Sequence, residues 1–271
     1  MDNHAKNQHY VPKALLKNFA SKSSLIWTFD KLAYNKNWKF IKERPINKVA
    51  SEEYFYDLIP NVKSMSYEYP ISEIEKKAVP IIRQIIECQD LLLSREEKIT
   101  LSLFIALQYI RTKYRQTILR NMTAEMNDKL QDFFPSAKLL DDARFIWLSL
   151  FNEIELFAEA ILHKEWFLGF CDSLFYTSDN PVVLQNSAYR SEVRGTLGLE
   201  SYGIEIYMPL NSSILLCMFC PELLKSFRGK FKLEKFNHQN VLNVNALQFF
   251  QSERFIFYNK CDFSMITNEI V

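Results

Sequence analysis

Glycine is scarce in this chain, with 5 among 271 residues. A dinucleotide fingerprint or a phosphate-binding loop needs clustered glycines so that backbone can approach a phosphate. Gly169, Gly195, Gly198, Gly203 and Gly229 match neither pattern. An excess of one charge is also missing. Lys and Arg total 33 against 32 Asp and Glu, a formal net charge of +1, so global electrostatics lend no support to a nucleic-acid or anionic-membrane partner. The five cysteines are odd in number and lack disulfide spacing, which suits a reducing cytosol. Cys217 and Cys220 have the spacing of a zinc or redox pair. Cys217, however, lies in the apolar run from Ile214 to Phe219 and Cys220 directly follows it, with no second pair or spaced histidine after them, and both read as core cysteines. Long apolar runs are absent too. Leu101 to Ile110 is too short to span a bilayer and Met1 to Gln8 is polar, so the expectation is a cytoplasmic protein with no membrane partner. No nucleophile elbow and no HExxH helix is present.

Apolar material is ample, at 48% hydrophobic and 14% aromatic residues. Leu15, Leu16 and Phe19 recur at helical spacing behind Pro12, a residue well placed to open a helix. Leu25 to Asp30 reads as a strand, with Trp38 to Ile41 pairing across a polar turn at 34–37, and Tyr54 to Asp57 as a further strand. A helical middle follows over about 71–164. Its first stripe, Ile71 to Ile85, is predicted to be bent or interrupted at Pro80. Ser94 and Glu97 make a capping box before the stripe from Ile99 to Tyr114. Residues 121–134 read as a more polar helix, and 141–163 as one long central helix, apolar nearly all round. Then come paired strands at 166–170 and 174–177, more strand material at 182–184, 205–208 and 214–219, a loop over 185–203, a helix at 240–250 and a last strand at 255–258. The expectation is one α+β domain over residues 1–271, its helical middle packed on a mixed or antiparallel sheet built from N- and C-terminal strands.

Chemistry concentrates at a few places. His9 and Tyr10 precede the first helix, where free amides and the dipole favour an anion. His9 titrates near neutrality and can serve as acid, base or metal ligand; the plainer reading has its ring capping local backbone and packing on Tyr10. Asp179, in the turn Ser178-Asp179-Asn180-Pro181, can orient a histidine, bind a metal or act as a base, or simply close a turn over its own backbone. Arg111 lies beside an apolar stripe, where burial demands either a paired carboxylate, such as Asp179 or Glu155, or an anionic ligand. Asp57 is a weaker candidate of the same kind, and Asn243 can hydrogen-bond a ligand. Two basic stripes interleaved with aromatics, Lys36/Lys39/Lys42/Arg44 and Arg228/Lys230/Lys232/Lys235, either track a phosphate backbone or form a solvated face.

The order and spacing of these motifs resemble the DUF4238 family: His9-Tyr10-Val11-Pro12 with Leu16 and Phe19, Arg111-Thr112 ending a helix, Thr177 to Val182, Met208-Pro209-Leu210, and Leu242-Asn243 followed by Ala246. The resemblance covers residues 8 to about 252. That family often opens its first motif with two histidines. Here Gln8 takes the first position and leaves His9 the sole imidazole. The resemblance carries no settled activity, and some members stand in mobile or defence-associated settings; it implies that His9, Arg111, Asp179 and Asn180 converge. The expected function is a hydrolase of phosphodiester or nucleotide substrates, a nuclease-like toxin or antiviral effector. His9 would be the acid/base, Asp179 would orient it or hold a divalent metal, and Arg111 would stabilise developing charge. Tyr10, Asn180 and Asn243 would position substrate, nucleic acid or nucleotide. The alternative is a non-catalytic binding or protein-interaction module, working with a partner or a second copy, in which the same residues form a structural polar network.

Overall fold

Three sheets carry the strands of the computed structural model, which describes residues 5–134, 143–172, 174–188, 197–225 and 233–271. β1 (Asn7–His9) pairs antiparallel with β4 (Ser51–Glu53). A four-stranded antiparallel sheet runs in the order β3 (Ile41–Pro45), β2 (Leu25–Asp30), β11 (Phe255–Tyr258), β6 (Thr177–Ser178), joining both ends of the chain. A five-stranded mixed sheet runs β10 (Leu233–Lys235), β5 (Glu165–Phe170), β9 (Ile214–Phe219), β8 (Ile204–Pro209), β7 (Val183–Asn186), with β10 parallel to β5 and the others antiparallel. The fold is α+β, with helices between and beside the sheets.

The five-stranded sheet is buried on both faces, which explains the unbroken apolar run of β9. Leu216, Met218, Ile206 and Leu168 join the core of the helical middle, whereas Leu215, Cys217, Tyr207 and Phe167 pack on the other side under α9 (His238–Phe250). Cys217 and Cys220 are buried and free, as core residues.

In the helical middle, α3 (Glu68–Cys88) packs on α4 (Arg95–Ile110), and α5 (Lys113–Phe133) follows. Ser94 and Glu97 form the expected capping box. Ser94→Ala is expected to cost about 1 kcal/mol in a denaturant melt. α3 runs on through Pro80 without interruption, contrary to one of the two outcomes expected. The carbonyl of Lys76, four residues back, and Pro80 itself both lie on the exposed side, while Ile71, Ala78, Ile81, Ile82 and Ile85 hold the buried side. The long helix expected over 141–163 is instead α6 (Ala143–Ser149), a 3-10 turn at Leu150–Glu153 and α7 (Ile154–Leu162); residues 141 and 142 lie outside the described residues. The tighter turn changes the phase of the stripe. Trp147 and Phe151 pack on Phe55 and Tyr67, the Trp147 indole donates to the Ile110 carbonyl, and Ala158 and Ile161 are buried on α7. Nor is this region apolar all round in use, since Phe145 and Leu156 are exposed.

Three strand expectations need correction. β3 does pair with β2, but from Ile41 onward, and the connection contains α2 (Lys31–Asn35), N-capped by Asp30; Asn37 at φ 53° and exposed Trp38 lie outside the strand. The strand expected at 54–57 ends before it starts, because Tyr54 has φ 51° and turns the chain out of β4. The segment 174–177 does not pair with β5. Only Thr177 and Ser178 are strand, and they add to β11 instead. The short helices are α1 (Lys13–Lys17) and α8 (Pro221–Leu224), with 3-10 turns at Ile46–Lys48 and Lys63–Met65 and a π-helical turn at Ile266–Ile270. Among the described residues no helix is long and apolar enough to cross a membrane. Arg228, Lys230 and Lys232 of the second basic stripe lie outside the described residues.

Candidate functional site

β1 sets the site because an extended chain aims successive side chains to opposite sides. Gln8 is fully buried. Its amide donates to Asp57 Oδ1 at 2.8 Å and accepts from the Tyr56 backbone at 2.6 Å, and Asp57 in turn accepts from the Asn61 backbone at 3.0 Å. His9 points the other way, into a cleft of about 270 Å³ between β1, α1 and α3 that Asn7, Lys13, Glu68, Ser72 and Glu75 also line. Tyr10 turns inward again, with its ring 5.1 Å from that of Phe55.

His9 Nε2 is buried without a hydrogen-bond partner. Burial, and then the charge of Lys13, hold the imidazole down at about pKa 4, against a backbone hydrogen bond at Ile46; Arg111 pushes the same way as Lys13. His9 is therefore neutral at pH 7, and its buried Nε2 is left unbonded.

Arg111 caps the C-terminus of α4 and is 0% exposed. Its carboxylate partner is Glu75 on α3, at 2.6 Å, rather than Asp179 or Glu155. Nε donates to Gln108 Oε1 at 3.0 Å, one turn back on the same helix, and Gln108 donates to the Tyr10 carbonyl at 2.9 Å. Nη2 has no partner. So Glu75, Arg111 and Gln108 tie α3 and α4 to the residue after His9, and one guanidinium nitrogen remains unused.

Asp179 is buried elsewhere in the same region. Its oxygens accept three backbone N–H groups, from Glu253 at 2.9 Å and from Arg254 and Phe255 at 2.8 Å, across 74 to 76 positions of sequence. Burial pushes its carboxyl up to about 6 against the pull of those amides and of Lys31. It does not stand among the groups acting on His9; the phenol it acts on is Tyr10, whose acidity burial and then Asp179 suppress. Asn180 is buried beside it, accepting from the Thr112 hydroxyl at 2.9 Å and donating to the Gln251 carbonyl at 2.8 Å. The structure thus brings His9 together with Arg111, and Tyr10 with Asp179 and Asn180, as two halves joined through Tyr10 and the Arg111–Thr112 junction. Asn243 lies apart from both, on α9, donating to Gln185 Oε1 at 2.6 Å.

The model of DUF4238, a protein family of unknown function, matches residues 7–262. The chain belongs to DUF4238. No curated protein and no solved structure matches it. Of the residues that carry the DUF4238 resemblance, His9, Tyr10, Arg111, Thr112, Asp179 and Asn180 belong to the two halves just described, whereas Leu242-Asn243 lies apart from them. Sequence reasoning missed Glu75, Glu68 and Gln108. The signal for Gln108 was there, as a polar side chain three residues before Arg111 on the buried face of α4. Glu75 gave none, because its pairing depends on how α3 crosses α4. Among the described residues no group of three or more His, Cys, Asp or Glu side chains is placed to hold a metal ion.

Proposed function

We propose that this DUF4238 protein is a hydrolase in which His9 Nε2 is the general base. The observation that carries the reading is the buried His9 Nε2 without a partner, on a residue that lines the cleft, with Arg111 Nη2, tied through Gln108 to the Tyr10 carbonyl, likewise without one. A polar atom buried without a partner costs about 1–3 kcal/mol, and a substrate that bonded both atoms would remove that cost. His9 would take a proton from water, and Arg111 and Lys13 would meet the charge developing on the substrate. Glu75 fixes the guanidinium, and Glu68 adds a second carboxylate to the cleft. Asp179 and Asn180 act in this reading as positioning residues that hold the Tyr10 side of the site.

A second reading, a non-catalytic module, is favoured by the complete use of Asp179 and Asn180 in backbone and side-chain hydrogen bonds. One experiment separates the two. The purified protein is assayed on RNA, DNA and nucleotides with and without divalent cations, beside His9→Gln, and each protein is also melted. Catalysis requires hydrolysis by the wild type that the variant loses while melting normally. Equal activity in both proteins, or none in either, rejects His9 as the base.

A further inference from the structure

We propose that the hollow between α9 and the outer face of the five-stranded sheet binds a nucleobase. This site is separate from the His9 cleft, shares no lining residue with it, and does not rest on the hydrolase reading. The hollow measures about 280 Å³ and is walled by Phe167, Tyr207, Phe219 and Phe236. Phe219 meets Phe167 and Tyr207 edge-on, at interplanar angles of 81° and 85°, so these rings do not stack on one another. Phe236 packs close against Gly169, where a Cβ would come within 2.7 Å of its ring. Such walls take a flat ring, and base–aromatic stacking is worth a substantial part of a small ligand's affinity.

The polar groups select which flat ring. Asn240 and Asn243 stand three residues apart on α9 and both line the hollow. Asn240 spends its carbonyl oxygen capping the helix, on the Asn237 backbone, and Asn243 spends its amide nitrogen on Gln185. What remains is a donor, Nδ2 of exposed Asn240, and, three residues on along α9, an acceptor, Asn243 Oδ1. The Watson–Crick edge of every nucleobase offers an acceptor next to a donor, and a paired contact of this kind distinguishes a base from a hydrocarbon ring of the same shape. Glu234 and exposed Lys235 also line the hollow, a carboxylate and an ammonium beside the rings.

The full chain is titrated calorimetrically with adenosine, cytidine, guanosine and uridine, with naphthalene-1-sulfonate as a flat ring lacking the paired edge, and with a short oligonucleotide. The variant is Asn240→Asp, which keeps the capping oxygen, places a carboxylate at a helix N-terminus where it is tolerated, and removes the donor. At least one nucleoside is expected to bind with a Kd below about 1 mM, and Asn240→Asp to weaken it by about tenfold or more at an unchanged melting temperature. His9→Gln should leave the affinity unchanged, which separates this site from the hydrolytic one. The proposal is overturned if no nucleoside binds, if only the oligonucleotide binds, if naphthalene-1-sulfonate binds as well as the nucleosides, or if Asn240→Asp binds as tightly as the wild type.

Discussion

Replacing Asp179 with alanine is expected to lower the stability of the fold by about 3–5 kcal/mol, one of the largest losses any single substitution in this chain should produce. The carboxylate is 1% exposed and receives three backbone N–H groups from Glu253, Arg254 and Phe255. Those residues lead into β11, the strand that sits between β2 and β6. Alanine would leave three donors without an acceptor at the entry to a central strand, each costing about 1–3 kcal/mol before any water reaches them. Part of the loss is returned, because the wild-type carboxylate is itself expensive to bury. In a chain of this length a deficit of that size lowers the melting temperature by about 10 °C. Asp179→Asn keeps one acceptor oxygen and sheds the charge, so it should fall between the two in a urea or thermal melt. A loss under about 1 kcal/mol in Asp179→Ala would show that these bonds do not hold the turn.

The case of Asp179 shows where sequence stops informing. Its position in a Ser-Asp-Asn-Pro turn was legible, and so was its competition between a chemical and a turn-closing role. Its partners were not, because they lie more than 70 positions on and arrive only when β11 docks. Signals carried within a few residues transferred well. The Ser94 box, the β9 run and the helix at the Asn243 segment all lie where local chemistry put them. Which face of α9 would look at which cavity was not a local matter. Asn243 therefore sits in the aromatic hollow, away from His9, although its spacing in the chain gave no warning. Arg111 was recognised as a buried cation that needed a carboxylate. Choosing Glu75 over Asp179 and Glu155 required the crossing of α3 and α4.

His9→Gln is expected to remove about 10²- to 10⁴-fold of any hydrolytic rate at pH 7, the usual worth of a positioned base, and to leave the melt at that pH nearly unchanged. The reason lies in the charge state. Burial and Lys13 hold the imidazole at about 4, so at pH 7 it is neutral and its loss unpairs no charge. The same depression makes acid the sensitive direction. An unfolded histidine takes its proton near 6.5 and the folded one only near 4, so the stability tied to neutral His9 is present above pH 6.5 and is lost as the pH falls through 4. Asp179 works the other way. Its carboxyl is raised to about 6, so its contribution is complete below the unfolded value and is lost as the pH rises through 6. Between pH 4 and 6 the two slopes oppose each other. His9→Gln removes one of them, so its melting temperature should rise relative to that of the wild type as the solution is acidified over that interval. If His9 is the base of a hydrolysis, the wild-type rate should hold level from pH 7 to 5, because the imidazole stays neutral down to about 4. A rate that halves near pH 6.5 would mean an ordinary, solvated imidazole, and with it the loss of the buried-base reading.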